Sequence, residues 1–320
     1  MDLALSVITK NSFTKLKNIP INLIDVLDST KQLPYRTVIL VDDSTDQTVE
    51  VFKEWCEREG KELVLIRGAG TRAIARQKAI DCFLGNLIEA WLMFVDDDVI
   101  LNHGWWSWVL ENKVLEEPSV GEIWGISWDA SPQREKFLSF FGIEFKDYLI
   151  RKFNERGGTH DTLYRREAIE GIKIPPELHV YEDAWLHFYV KCRGYNSVVN
   201  PIGVRHYHLE ASGSTDEEKK KIRTAIEVMS KYGIIEYETY RAYKASQKAV
   251  AYLALARPIL GFPPMLFASL RAYGLKQGFR EALARQYLKI WFRWQMIKAI
   301  KKHCQTSIPD ICEAIRSYCG

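Results

Sequence analysis

The chain lacks most of the signatures that mark common enzyme classes. No GxGxxG follows its first apolar run, where the turn is Thr9-Lys10-Asn11-Ser12, and Gly68-Ala69-Gly70-Thr71 has no third spaced glycine. A dinucleotide-binding oxidoreductase is excluded on that ground. A phosphate-accepting receiver domain needs an acidic pair on the first strand and leaves most of the chain unexplained. The six cysteines form no CxxC pair and accompany no His at metal-ligand spacing, so they read as reduced cytosolic thiols, mostly packing. No internal repeat, low-complexity tract or secretory segment is visible; polar Thr9-Lys10-Asn11 follows Leu3 to Ile8 at once, and the N-terminus reads as the start of the fold. Excess charge is small too: 44 Lys or Arg against 41 Asp or Glu, a net +3, gives no case for nucleic acid as a partner.

What is present is an alternation. Short apolar stretches at Ala4 to Ile8, Thr37 to Val41, Leu63 to Ile66 and Ala90 to Val95 alternate with helical stretches near Ile21 to Leu27, Thr48 to Arg58 and Thr71 to Leu84. Continuously apolar strands are expected where helices cover both faces of a parallel sheet. Ligands of such sheets bind beyond the strand carboxyl ends. Three of those ends carry polar clusters: Thr9-Lys10-Asn11, Asp42 to Asp46, and the triplet Asp96-Asp97-Asp98.

The triplet holds the sharpest chemistry. Adjacent carboxylates repel and need a counterion, so oxygen ligands at this density imply Mg²⁺ or Mn²⁺ with phosphate oxygens completing the shell. The same residues also suit a solvated turn or a helix N-cap.

In order and spacing, the segments Leu5 to Asn11, Val38 to Thr48, Ala75 to Ile80 and Phe94 to Asp98 resemble the motifs of family 2 glycosyltransferases with a GT-A fold. Gly157-Gly158-Thr159, Leu163 to Ala168, Tyr181 to Leu186, Gly194-Tyr195 and Val204 to His208 continue the likeness, which covers roughly residues 3 to 212. It implies an α/β, Rossmann-like, mostly parallel GT-A domain over 1–212, with a nucleotide-binding half to about 100 and an acceptor half beyond, and a helical C-terminal region over 213–320.

The resemblance also implies roles. Thr9, Asn11, Asp42 and Asp43 would hold the base and ribose, although the glycine that usually follows the acidic pair is absent here. Arg76 would face the diphosphate, with Arg72 one turn earlier on a similar face. Asp96 points to the ribose and Asp98 to the divalent ion, with Asp97 grouped among the donor contacts; Asp96 is also a candidate metal ligand. His206, preferred over His208, would supply a further ligand. Asp183 would be the general base of an inverting transfer, assisted by Glu182, though both acids also suit a helix N-terminus. Gly158 and Thr159 fall on the acceptor or sugar side. Trp185, with Trp105, Trp106, Trp108, Trp124 and Trp128, offers faces for sugar stacking, the alternative being core packing.

Beyond Ser212 the composition changes. A charged helix start at Asp216 to Lys221 leads into a mixed helix to about Lys248, then an apolar run from Ala249 broken by Arg257-Pro258 and Pro263-Pro264. That run is too interrupted to span a bilayer and reads as dipping into one or lying on it. On Arg280 to Lys302, Leu283, Tyr287, Ile290, Trp294 and Ile297 form one stripe, with Arg285, Lys289 and Arg293 opposite. An anionic membrane surface or a packing partner would each suit it.

The reading is a metal-dependent, inverting transfer of a sugar from a UDP- or GDP-sugar to a lipid-linked or glycan acceptor, at the inner face of the cell membrane. The alternatives are a polyprenyl- or dolichyl-phosphate glycosyl synthase, a non-catalytic nucleotide-sugar or glycan binding protein, and a metal-dependent phosphohydrolase.

Overall fold

The computed structural model describes residues 3–129, 132–142, 146–147, 149–150, 157–178, 180–207, 215–234, 257–303 and 310–320. The chain divides into two compact units, one of Met1–Ala130, Gly157–Ser212 and Ile315–Gly320, the other of Ser131–Arg156 and Gly213–Ala314. Residues 131–156 thus join the C-terminal helices, and the last six residues return to the first unit, an interleaving that a single cut after residue 212 does not describe.

The first unit is built on an eight-stranded sheet in the order β3-β2-β1-β4-β7-β6-β8-β5. Its strands are β1 (Leu3–Thr9), β2 (Tyr35–Asp42), β3 (Glu62–Arg67), β4 (Trp91–Asp96), β5 (Val99–Leu101), β6 (Val120–Asp129), β7 (Asp161–Arg165) and β8 (Asn196–His206). The first four run parallel, because each crossover carries a helix. β7 is antiparallel to β4 and β6, and β5 to β8, so the sheet is mixed in its second half. Parallel pairing puts the carboxyl ends of β1 to β4 on one edge, with Thr9 opposite Asp42 and Ile8 opposite Asp96. The apolar runs in β1, β2 and β4 are buried, whereas edge strand β3 is half-exposed and ends in Glu62 and Arg67.

Among the described residues, seven helices belong to this framework: α1 (Ser12–Lys15), α2 (Leu23–Ser29), α3 (Thr48–Arg58), α4 (Arg72–Asn86), α5 (Trp105–Glu111), α7 (Arg166–Ile169) and α8 (Glu182–Cys192). Amphipathic spacing explains α3, which buries Val49, Phe52, Trp55 and Cys56. Thr71 caps α4, its hydroxyl accepting from Ile74 N at 3.4 Å. A Cβ on Gly125 of β6 would lie 1.7 Å from Asp161 Oδ2, and one on Gly203 of β8 (φ 55°) 1.9 Å from the Ile126 carbonyl. Only glycine permits that approach of β6, β7 and β8.

The second unit contains α6 (Pro132–Ser139), α9 (Thr215–Tyr232), α10 (Arg257–Leu260), α11 (Phe262–Tyr273) and α12 (Leu275–His303). Pro263-Pro264 do not interrupt a helix but begin α11, in the first turn where no amide donor is required. Met265, Ala268, Ala282, Met296 and Ile300 are buried in this unit. Among the described residues no helix is long and apolar enough to cross a membrane. The helix expected from Asp216 is present as α9 to Tyr232; its expected continuation to Lys248 and the run Ala249 to Ala256 fall outside the described residues. A final helix, α13 (Ile311–Cys319), closes the chain, and Tyr318 meets the edge of Trp185 at 5.9 Å. The expectation of reduced thiols fails at Cys192 and Cys312, which are disulfide-bonded; Cys56, Cys82 and Cys319 are free.

Candidate functional site

The edge at the ends of β1, β2 and β4 is dense in carboxylates. Asp42 is fully buried and saturated: it accepts from Thr9 Oγ1 (2.6 Å), Ser44 N (2.9 Å), Ser44 Oγ and Arg67 Nη1 (2.8 Å). A carboxylate offers about four acceptor positions, and these four donors fill them. Asp42 and Thr9 therefore brace the loop, and Ser44, at the position of the absent glycine, folds back on Asp42. Asp43 is partly exposed and takes Ala69 N (2.8 Å) and Gly70 N (2.9 Å), and the amides of Gly70 and Ala69 hold its carboxyl below the usual range. Asn11 adopts φ 56°, its amide donates to Ser44 Oγ (2.7 Å), and its side-chain oxygen accepts from Thr45 N (2.8 Å).

Arg76 is held by protein carboxylates. It is 4% exposed, its Nη2 reaches Asp96 Oδ1 (3.1 Å), its Nε reaches Glu182 Oε1 (3.4 Å), and its guanidinium stands 5.1 Å from the Phe94 ring centre. Burial opposes its charge, and the two carboxylates more than offset that, so its pKa is raised. A guanidinium used in this way joins β4 to α8. Arg72, one turn earlier, is exposed, and its charge adds to that of Arg76 in favouring the ionised forms of Asp96 and Glu182.

The triplet separates into three environments. Asp96 turns to Arg76, and its amide donates to the His160 carbonyl at 3.1 Å. Asp97 accepts from Ser12 Oγ, and burial with Asp98 and Asp96 nearby pushes its pKa up to about 6. Asp98 Oδ1 stands 3.2 Å from His206 Nε2, because β5 pairs with β8 and sets Val99 opposite His206. His206 Nδ1 lies 3.1 Å from Ser127 Oγ. In the tautomer whose Nδ1–H donates to Ser127 Oγ, Nε2 turns its lone pair toward Asp98, the second-sphere arrangement a metal-binding imidazole needs. The donor set thus fits a divalent ion at Asp98 and His206. Among the described residues no three His, Cys, Asp or Glu side chains gather to hold a metal alone, since Arg76 takes Asp96. His208 lies outside the described residues.

Two residues that the sequence did not single out adjoin this pair. His160 is buried, its Nε2 is 3.1 Å from the Gly125 carbonyl, its ring is 5.9 Å from that of His206, and burial lowers its pKa to about 4. Asp161 accepts from Trp105 Nε1 at 2.8 Å, and burial pushes its carboxyl up to about 8. No local motif marks either residue.

α8 delivers the second pair of acids. Tyr181, at φ 81°, holds a left-handed conformation that costs a non-glycine residue about 1 kcal/mol or more, and its carbonyl starts the helix by accepting from Trp185 N at 3.0 Å. Glu182 and Asp183 are buried in the first turn, 4% and 9% exposed. Burial and then Asp183 push the Glu182 pKa up to about 7, against the pull of Arg76. Asp183 Oδ1 accepts from Ala184 N at 2.8 Å.

Most of the tryptophans serve the core, the alternative weighed for them. Trp185 is fully buried and its indole N–H donates to the Lys173 carbonyl at 2.9 Å, so it has no face for a sugar. Trp105 and Trp124 are likewise fully buried, Trp106 nearly so, and Trp108 and Trp128 partly. Gly158 and Thr159 are buried, and the Gly158 carbonyl accepts from Thr162 Oγ1 at 2.5 Å.

Comparison with solved structures gives the fold. The mannosyltransferase PcManGT of Pyrobaculum calidifontis, in complex with GDP-Man and Mn²⁺, is similar with a TM-score of 0.57 at 18% identity, over 94% of this chain and 86% of that one. S. aureus TarS 1–349 follows with a TM-score of 0.48 at 17% identity, over 99% and 91%. Glucosyl-3-phosphoglycerate synthase of Mycobacterium tuberculosis, with Mn²⁺, UDP and glucosyl-3-phosphoglycerate, has a TM-score of 0.45 at 14% identity, over 73% and 80%. No curated protein sequence matches. The fold is α/β and GT-A-like, as the first likeness shows. Residues 6–172, more than half the chain, match the sequence model described as Glycosyl transferase family 2, and the protein therefore belongs to that family and is a glycosyltransferase.

Proposed function

We propose that the chain moves a sugar from a nucleoside-diphosphate sugar, UDP- or GDP-linked, to a lipid-linked or glycan acceptor, with inversion and with a divalent ion as cofactor. The observation that carries this reading is the meeting of Asp98 with His206 at 3.2 Å, beside an Arg76 that ties Asp96 to the acidic pair of α8. Asp98 and His206 would hold Mn²⁺ or Mg²⁺, which supplies charge neutralisation for the departing nucleoside diphosphate. Asn11 and Asp43 line the base and ribose end, braced by Thr9 and Asp42, and exposed Arg72 faces the diphosphate. Asp183, at 9% exposure more open than Glu182 at 4%, takes the proton from the acceptor hydroxyl, while Glu182 holds α8 to Arg76. With a phosphate acceptor, already ionised, Asp183 only orients. The GDP-Man and Mn²⁺ bound by the Pyrobaculum protein support the donor and ion assignments.

The C-terminal helices put the enzyme at the inner face of the cell membrane in this reading, which suits a lipid-linked acceptor. The test is thermal stabilisation by nucleoside diphosphates and nucleotide sugars with Mn²⁺, Mg²⁺ or EDTA. A metal-dependent rise in melting temperature with one nucleotide class, lost in Asp98→Asn, is expected. Asp183→Asn should abolish transfer and keep donor binding; full transfer by that variant would sink the base assignment.

A further inference from the structure

The longest helix of the second unit, α12, carries its large apolar side chains on the outside. Leu275, Phe279, Leu283, Tyr287, Ile290 and Trp294 are 82, 50, 46, 49, 38 and 51% exposed. At 3.6 residues per turn they fall within about 120° of the helix circumference, in a row about 30 Å long. Of the five residues read as one stripe from the sequence, Ile297 turns inward and is 2% exposed, so the exposed row runs toward the N-terminal end of α12 instead. The preceding helices also expose Leu260 (77%) and Phe267 (60%). Apolar area of this extent is not left facing water without a partner.

Charge selects the partner. Between residues 257 and 303 ten Lys or Arg stand against the single acid Glu281. A second copy of this helix would bring two such surfaces of the same sign together, whereas an anionic bilayer neutralises them. The cations are placed for an interface: Lys298 Nζ is 5.3 Å from the Trp294 ring centre and Lys219 Nζ, from α9, 5.3 Å from that of Tyr287, so ammonium groups sit beside rings that would rest at headgroup depth. Too charged to cross, α12 has the make-up of a helix that lies in the plane of the surface.

We propose that the exposed row of α12 docks on an anionic phospholipid surface, with Leu275, Phe279, Leu283, Ile290 and Trp294 entering the acyl boundary and the flanking lysines and arginines meeting lipid phosphates. This names the lipid class and the contacting face within the membrane reading above, and its test is independent of sugar transfer.

The experiment is co-sedimentation of the full chain with phosphatidylglycerol vesicles and with phosphatidylcholine vesicles at low and high salt. Binding at least tenfold tighter to phosphatidylglycerol, weakened by salt, is expected. Leu283→Glu/Ile290→Glu, substitutions at exposed positions, should reduce it at least tenfold while leaving the melting temperature and nucleotide-induced stabilisation unchanged. Equal binding to both lipids, binding unaffected by the double substitution, or no binding to either would each overturn the proposal. So would a concentration-dependent dimer, seen by light scattering and lost in the double variant, in a chain that ignores vesicles. Loss of nucleotide stabilisation in the unmodified chain with vesicle binding intact would refute the donor reading alone.

Discussion

Glu182→Gln isolates the most unusual energetic feature of the site. Glu182 sits in the first turn of α8 with 4% exposure, and its pKa rises from 4.5 to about 7 because burial and then Asp183 outweigh Arg76. A carboxyl whose folded pKa is raised contributes stability that is fully present below its unfolded value, near pH 4.5, and lost as the pH climbs through about 7. The difference between the two values corresponds to about 3 kcal/mol, since one pH unit is worth about 1.4 kcal/mol. Glutamine copies the shape of the protonated acid and still offers an oxygen to Arg76, so it removes the pH-dependent loss without removing the contact. Urea unfolding followed by tryptophan fluorescence should show the variant and the parent equally stable at pH 4.5, with a gap in favour of the variant approaching about 3 kcal/mol at pH 8. A variant less stable than the parent at pH 8 would refute the reasoning, because it would mean that Arg76 repays Glu182 more than burial costs. Sites that bear strained or desolvated acids commonly trade stability for activity, and transfer by Glu182→Gln should fall as stability rises.

Arg76→Met leaves buried Glu182 and half-buried Asp96 without their shared cation and should cost about 3 to 5 kcal/mol in chemical denaturation; a cost below about 1 kcal/mol would put the guanidinium in ligand space after all. Arg72→Ala, at an exposed position, should leave stability unchanged and weaken nucleoside diphosphate binding about tenfold by titration calorimetry. Ser127→Ala removes the acceptor for His206 Nδ1 and should lower Mn²⁺ affinity about 10- to 100-fold, read as the metal concentration needed for half-maximal thermal stabilisation; unchanged affinity would argue against His206 as a ligand.

The strand ends were legible because parallel sheets obey a strong rule. Continuous apolar runs at β1, β2 and β4 could be paired without knowing the register, and any polar cluster that follows such a run must fall on one edge. The start of α3 at Thr48 and its end at Arg58 were legible for a similar local reason, the 3.6-residue spacing of its buried side chains. The second half of the sheet was not. β5 is three residues long and pairs with a strand about a hundred residues away, and no periodicity in Val99 to Leu101 reports that partner.

Side-chain roles divide along the same line. Asp42 and Arg76 carry the residue types their supposed ligands want, yet each is spent on protein partners that come from distant segments: Thr9 and Arg67 for Asp42, Glu182 for Arg76. A sequence motif records which charge is present, and burial decides whether that charge can meet a ligand. Trp185 shows the same limit, since its flat ring is as suitable for the core as for a sugar and only the Lys173 carbonyl and Tyr318 reveal which was chosen. For the acids the distinction has a chemical consequence. Asp98 and His206 are held by β5 and β8 at the rim, with side chains 21 and 15% exposed, where a metal and phosphate can reach them. Glu182 is 4% and Asp183 9% exposed, so of the two acids of α8 the proposed base is the more open one. Arg76, by binding Asp96 and Glu182 at once, fixes the distance between β4 and α8. A donor held at the strand ends and an acceptor deprotonated at α8 would be held in register by that one buried guanidinium.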